Sequence, residues 1–282
     1  MSAAPRALQG NASLPQRGFR AAARERAAVD GFLSVAVITK NEAHRIERCL
    51  RSVAFADQVV VIDSGSTDDT VAVARRLGAE VQVTPDWPGF GRQKNRALAV
   101  CRCPWVLSID ADEEVSQELR AAIIAVVRGA SRDGANGYWI RRSSRFCGQT
   151  IRFGLWRNDQ VLRLFRRDGG RFTDDLVHER VICAEPMGQL PGTLYHDSVD
   201  SIEDAREKTF RYARAGAIQL RARGKGGRFS AWTHAIWSFV RGYLLRLGFL
   251  DGRNGLILAC LTAQGTYWRY RWAGMRHDLG EK

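Results

Sequence analysis

"WVLSIDADEEV", residues 105–115, opens on apolar residues and closes on carboxylates, with Asp110 and Asp112 at alternate positions. The first half reads as a short buried strand. The second half has two readings. Asp112, Glu113 and Glu114 suit the first turn of a following helix, where the helix dipole favours negative charge. Equally, an Asp-x-Asp at a strand end offers hard oxygen ligands to a divalent cation beneath a diphosphate. The tripeptide does not separate the two, so its surroundings must.

Outward from this stretch the chain alternates. "LSVAVIT" (33–39), "QVVVID" (58–63) and "EVQVT" (80–84) are Val/Ile-rich strands. Between them, "AHRIERCLRSVA" (43–54) and "DTVAVARRLG" (69–78) carry apolar residues at helical spacing: Ile46, Cys49, Leu50 and Val53, then Val71, Ala74 and Leu77. "FGRQKNRALAVC" (90–101) leads into 105–115. Strand-helix alternation implies βαβ units and a mostly parallel sheet, whose ligands sit at the carboxyl ends of the strands. Three of those ends are polar: Thr39-Lys40-Asn41-Glu42, Asp63 to Asp69, and Asp110-Ala111-Asp112. Neither G-x-G-x-x-G nor a P-loop follows the first strand, and no Gly-rich loop of the nucleotidyltransferase kind is present. A nucleotide must then be held by side chains. Asp63 suits a base N–H or ribose hydroxyls, and Asp110 with Asp112 suits Mg²⁺ or Mn²⁺.

Composition bounds the class. The 282 residues are 45% hydrophobic, enough for a packed core, and the six cysteines form no C-x-x-C pair. Neither a zinc site nor a disulfide framework is suggested, which fits a reducing compartment. Residues 1–31 read as a flexible basic tail without the apolar core of a signal peptide. Net charge is +13, and residues 201–282 hold 15 Lys/Arg against 6 Asp/Glu. A polyanionic partner is implied. A basic, non-catalytic nucleic-acid-binding protein would explain that charge but not the carboxylate rim.

The motifs "SVAVITKNEAHRIERCLRSV", "VVVIDSGSTDDTVAVA", "GFGRQKNRAL" and "WVLSIDADEEV" together resemble the nucleotide-sugar domain of family 2 inverting glycosyltransferases with the GT-A fold. The likeness is greatest to small bacterial enzymes that add glucose to heptose in the lipopolysaccharide inner core, and it extends to about residue 215. It implies an α/β, Rossmann-like GT-A domain over 32–200 and a metal-dependent hexosyltransferase. The implied donor is a nucleotide-diphosphate sugar of the UDP-hexose kind, with Mg²⁺ or Mn²⁺ as cofactor and a lipid-linked glycan as acceptor. No nucleic acid is expected, and the site of action is the cytoplasmic face of the bacterial inner membrane. Transfer to a polyprenyl phosphate is the neighbouring possibility.

Position by position, the resemblance puts Thr39, Asn41 and Glu42 along the nucleoside and Asp63 against the base. Arg92 and Lys94 fall near the nucleotide, their alternative being a solvated helix face; Gly89 and Gly91 argue against a regular helix just before them. Asp110 is to reach the ribose or the metal, and Asp112 is to be the direct metal ligand. Inverting transfer is one in-line displacement, so a side chain must take the acceptor proton. "FTDDLVHERV" offers Asp174, Asp175, His178 and Glu179; the resemblance favours Glu179, with Asp175 as substitute. His196, in "GTLYHDSVDS", is either a late metal ligand, better suited to Mn²⁺ than Mg²⁺, or a hydrogen-bonded structural residue. Arg157, Arg163, Arg166 and Arg167 around "VLRLF" are candidates to grip a phosphate.

Residues 201–282 read as helical and Trp/Arg-rich. "AWTHAIWSFVRGYLLRLGFL" (231–250) suggests one broad helix with Trp232, Ile236, Phe239, Tyr243, Leu247 and Leu250 in a stripe. His234, Arg241 and Arg246 make it a poor transmembrane span, so it is expected to lie on an anionic membrane surface or to pack on the preceding domain.

Overall fold

The structure, a computed structural model, describes residues 31–129, 134–157, 159–174 and 179–275, so the expected basic tail lies outside it but for Gly31. Strand β1 (Leu33–Thr39) is buried along its whole length, as a strand covered on both faces must be. It pairs in parallel with β2 (Gln58–Asp63) on one side and β4 (Trp105–Asp110) on the other, while β3 (Glu80–Val83) adds to β2. Register matters most here. Thr39 lies opposite Asp63, and Ile38 opposite Asp110, so the three polar strand ends reach one level.

Alternate residues of β1 feed two cores. Val35 and Val37 pack with Leu107, Ile109 and the apolar face of helix α1 (Ala43–Ser52), where Ile46, Cys49 and Leu50 are buried. Helix α2 (Thr70–Arg76) adds Val73 and Ala74 to this core. Ala36 and Ile38 pack with Val60, Ile62, Ala97 of helix α3 (Phe90–Val100), Phe165 and Phe172. Each buried Val, Leu or Ile contributes about 1.5–3 kcal/mol. A charge at Val37, which is fully buried, would break the first core.

Three sequence expectations are corrected. Glu113–Val115 does not open a helix but forms a short strand, β5; helix α4 (Gln117–Val127) starts after Ser116, whose side chain accepts from the Leu119 amide at 3.2 Å. The acidic run fitted a first helical turn by composition, yet tertiary pairing claims it. Second, α3 runs straight through Gly91, with Gly89 taking the left-handed turn before it (φ 100°). A glycine at that helical position serves close packing rather than a bend. Third, residues 231–250 are not one helix, as described below.

The remaining strands make the sheet mixed. Strand β6 (Gly137–Phe146) is flanked by β8 (Asp159–Arg166) and by β11 (Met187–Val199), with the short β7 (Gln149–Thr150) folded back on β6. β8 runs antiparallel to β4 and joins the two halves. β9 (Arg171–Phe172) and β10 (Val181–Ile182) form a separate ribbon. β11 also pairs antiparallel with β5, which sets His196 opposite Glu113.

From Ile202 the described chain is helical. Helix α5 (Ile202–Ala222) is capped by Ser201, which accepts from the Asp204 amide at 3.0 Å, and Glu203 and Asp204 lie in its first turn. Helix α6 covers Arg228–Phe239; the chain then widens into a π turn over Val240–Leu245 and reverses at Leu247, which is left-handed (φ 59°). A 3₁₀ turn, Gly248–Asp251, leads into helix α7 (Gly252–Ala273). The reversal brings Gly248 onto Gly242, so closely that a Cβ on Gly248 would lie 2.6 Å from the Gly242 carbonyl oxygen. Asp251 pins the turn by accepting from the amides of Arg152 (3.1 Å) and Phe153 (2.9 Å). No described helix is long and apolar enough to cross a membrane.

Candidate active site

The rim formed by β1, β2 and β4 is wired by its own loops. Asn41 takes the left-handed conformation (φ 55°), and its side-chain oxygen accepts from the Thr67 amide at 2.8 Å. The Asn41 amide in turn donates to Ser66 Oγ at 2.8 Å, and the Glu42 amide to Thr70 Oγ1 at 2.8 Å. Two crossover loops are thus zipped into one wall. Asp63, fully buried, accepts from the amides of Gly65 (2.9 Å) and Ser66 (2.8 Å) with one oxygen and from the Ser66 hydroxyl with the other. Its visible work is to shape this loop. The Thr39 hydroxyl, also buried, makes no hydrogen bond among the described residues, an unmet polar group at the end of β1. Glu42 pairs with Arg45 at 3.0 Å, and burial, only partly offset by that guanidinium, raises its pKa.

Asp110 and Asp112 have different partners. Lys94 Nζ lies 2.9 Å from Asp110 Oδ1, and Arg163 Nη2 donates to Asp110 Oδ2 at 2.7 Å. Burial opposes the Asp110 charge, but these two cations outweigh it and hold the carboxyl well below the usual range. Asp112 instead faces His196, with Oδ2 and Nε2 3.3 Å apart. Burial again opposes the charge, and the imidazole again wins, lowering the Asp112 pKa. Ser144 Oγ and His196 Nδ1 are 3.0 Å apart, so the far side of the ring is held as well. Backbone pairing sets the encounter: the Asp197 amide donates to the Asp112 carbonyl at 2.9 Å beside the β5–β11 ladder.

Lys94 is not a solvated side chain. It is 4% exposed and also donates to Glu179 Oε1 at 2.8 Å, tying the expected base to the Asp110 strand end. Gly91 lets this happen, since a Cβ there would lie 1.9 Å from the Thr173 carbonyl oxygen and 3.5 Å from Glu179 Cβ. Arg92 by contrast is exposed, 3.9 Å from Asp174. Asp175 and His178 lie outside the described residues. Of the four arginines near "VLRLF", Arg163 clamps Asp110, Arg166 stacks on Trp105 at 4.0 Å, and Arg167 donates to the carbonyls of Cys101 and Arg102. Arg157 lies over Phe153 at 5.8 Å.

Sequence reasoning missed Glu113. It is 1% exposed, accepts from the Asp110 amide at 2.9 Å and from Arg163 at 2.7 Å, and so braces both. Its only sequence signal, one more acid in an acidic run, pointed to a helix. Lys208 of α5 was missed too; it donates to the Ser198 carbonyl at 2.9 Å, two residues beyond His196.

The Lys94 geometry gives a direct test. Removing one partner of a buried ion pair costs about 3 kcal/mol or more, which lowers Tm by roughly 6–12 °C in a chain of this size. Lys94→Met should show that fall in calorimetry. An unchanged Tm would mean that the ammonium does not bridge the two carboxylates.

Asp112 and His196 supply one carboxylate oxygen and one imidazole nitrogen, both side chains 15% exposed and facing one another. That donor set would suit a divalent cation of the Mn²⁺ or Mg²⁺ kind. Among the described residues no three His, Cys, Asp or Glu side chains gather to form a closed metal site.

Comparison with known proteins places the chain. Residues 34–184 match the family described as glycosyl transferase family 2. An uncharacterized glycosyltransferase of Rickettsia prowazekii is 33% identical over 84% of this chain and 85% of its own length. The lipopolysaccharide core biosynthesis glycosyltransferase LpsC of Rhizobium meliloti is 30% identical over 84% of this chain and 93% of its own. Among solved structures, Staphylococcus aureus TarS 1–349 in complex with UDP-GlcNAc covers 85% of this chain and 92% of its own at 15% identity and TM-score 0.45. Given the family match over more than half of the sequence and relatives aligned along most of it, this chain is a member of glycosyl transferase family 2.

Proposed function

We propose that the protein is an inverting, metal-assisted hexosyltransferase that moves glucose from a UDP-sugar to a lipid-linked glycan such as the lipopolysaccharide inner core. It would act at the cytoplasmic face of the inner membrane. The observation that carries the reading is the Asp112–His196 pair beside the Asp110–Lys94–Glu179 chain, gathered around the carboxyl end of β4. The acceptor class is supported by the likeness to LpsC over most of both chains.

In this reading Asp112 and His196 would hold the cation, with Ser144 fixing the ring, and a bound divalent cation would supply charge neutralisation for the departing diphosphate. Thr39, Asn41 and Glu42 line the nucleoside, and Asp63 holds the loop that faces the base. Arg92 is exposed and available to the nucleotide. Lys94 and Arg163 act through Asp110, fixing it, and Lys94 also orients Glu179. The acceptor oxygen attacks the anomeric carbon, the bond from that carbon to the diphosphate oxygen breaks, and Glu179 takes the hydroxyl proton.

Incubation with a panel of UDP-sugars and lipopolysaccharide truncated at the inner core, read by mass analysis of the glycan, tests the reading. A gain of one hexose from UDP-glucose is expected. A hexose appearing only on a polyprenyl phosphate would replace the acceptor assignment.

A further inference from the structure

Helix α6 turns its small residues inward and its large ones outward. Ala231 and Ala235 are buried, whereas Phe229 (83% exposed), Trp232 (59%), Ile236 (59%) and Trp237 (56%) of the same helix are exposed, Trp232 on the flank next to α7. The inverted pattern is not a core stripe, which would bury the bulky residues and leave alanine to solvent. The chain reversal carries the surface on, with Leu245 63% and Leu250 54% exposed. This apolar surface is also held in shape. Trp232 packs against Tyr267 of α7 (ring centroids 4.9 Å apart), and Tyr243 joins Phe239 (5.2 Å) to Phe249 (6.2 Å) across the turn.

Charge decides what covers it. From Lys208 through Met275, both included, the sequence holds twelve Lys/Arg and a single acid, Asp251. That acid is 5% exposed and both its oxygens accept from the Arg152 and Phe153 amides, so it presents no free carboxylate at the surface. Arg228, Arg241 and Arg253 are exposed in or beside the apolar surface. A second copy of the chain would meet it with like charge. An apolar patch with amphipathic tryptophans and exposed arginines along the same stretch, with Asp251 as its one acid between Lys208 and Met275, matches the headgroup region of an anionic bilayer.

We infer that α6 and the turns through Leu250 form a docking surface for membranes containing anionic phospholipid, with Trp232, Ile236 and Trp237 entering the headgroup layer and the flanking arginines meeting lipid phosphates. The inference deepens the membrane-side part of the proposed function but rests on none of its catalytic assignments. It also replaces the single amphipathic helix expected from sequence: the contact is a folded corner, helix plus reversal, presented by α7.

The test uses the full-length protein and sedimentation with phosphatidylcholine vesicles, with and without about one-third phosphatidylglycerol. Binding at least about tenfold tighter to the anionic vesicles is expected, weakened but not abolished by high salt. Ile236→Glu combined with Trp237→Glu, at positions too exposed to carry the fold, should reduce binding about tenfold or more while circular dichroism stays unchanged. Leu250→Glu should act in the same direction, and Arg228→Gln with Arg241→Gln should erase most of the preference for anionic lipid. Absence of wild-type binding to anionic vesicles overturns the inference, as does undiminished binding by both Glu variants. A dimer in light scattering that Ile236→Glu/Trp237→Glu dissociates, without vesicle binding, would assign the surface to self-association instead. Loss of lipid binding alone leaves the transferase reading standing, because the measurement involves no sugar transfer.

Discussion

Asp112→Asn is expected to lower transfer by about 10²-fold or more, the scale seen when one group that stabilises developing charge is removed. EDTA should do the same to the wild-type protein, and excess Mn²⁺ should restore the wild type but not the variant. The reasoning lies in the geometry. Asp112 and His196 face one another at 3.3 Å, and among the described residues no lysine or arginine forms an ion pair with Asp112, Lys208 acting on it only from further off, whereas Asp110 is occupied by Lys94 and Arg163. An amide at position 112 keeps size and shape and removes the charge a cation needs. Calorimetric titration of Mn²⁺ in the presence of UDP separates a lost metal from a lost fold. Full turnover by the variant, with wild-type activity indifferent to EDTA, would remove the metal from the reaction.

Glu179→Gln is expected to reduce kcat by roughly 10²- to 10⁴-fold while the donor Kd stays near that of the wild type, because the acceptor proton moves only in the transition state. The variant should fold: a glutamine oxygen can still accept from Lys94, which now donates to Glu179 Oε1 at 2.8 Å. Asp175→Asn is the comparison. If Glu179→Gln retains more than about a tenth of wild-type kcat while Asp175→Asn is inactive, the base is Asp175. If both lose donor affinity, the segment serves the nucleotide instead of the acceptor.

What could be read from the sequence follows physical range. The parallel strands were legible because a strand covered on both faces writes a continuous apolar run, as "LSVAVIT" does, and because polar residues stop each run at the same rim. Lys94 was harder. Resemblance put it near the nucleotide, with a solvated helix face as the alternative, and only folding shows the strand end and the Glu179 segment closing over it. Glu113 was hidden by its own neighbourhood, since an acidic run before "QELRAAII" satisfies every local rule for a helix start, while a three-residue strand has no periodicity to announce it. The meeting of Asp112 and His196 is set by the β5–β11 register, a long-range fact that resemblance suggested and local pattern does not encode. The C-terminal stripe failed at Leu247, where contact between Gly242 and Gly248 turns the chain back.

β11 is the last strand of the sheet in sequence, yet it sits in the interior, between β6 and β5. On the ribosome, then, β5 emerges some 70 residues before the strand it pairs with. The segment holding Asp112 has no ladder to join until Leu194–His196 have been made. The site therefore matures late in synthesis, and a nascent chain that already contains β1 to β4 still lacks half of its proposed metal pair. Closure across so long a stretch is slow by nature and leaves the β6 edge unsatisfied in the meantime. Helix α5, following directly after β11, arrives in time to latch that strand through Lys208 on Ser198.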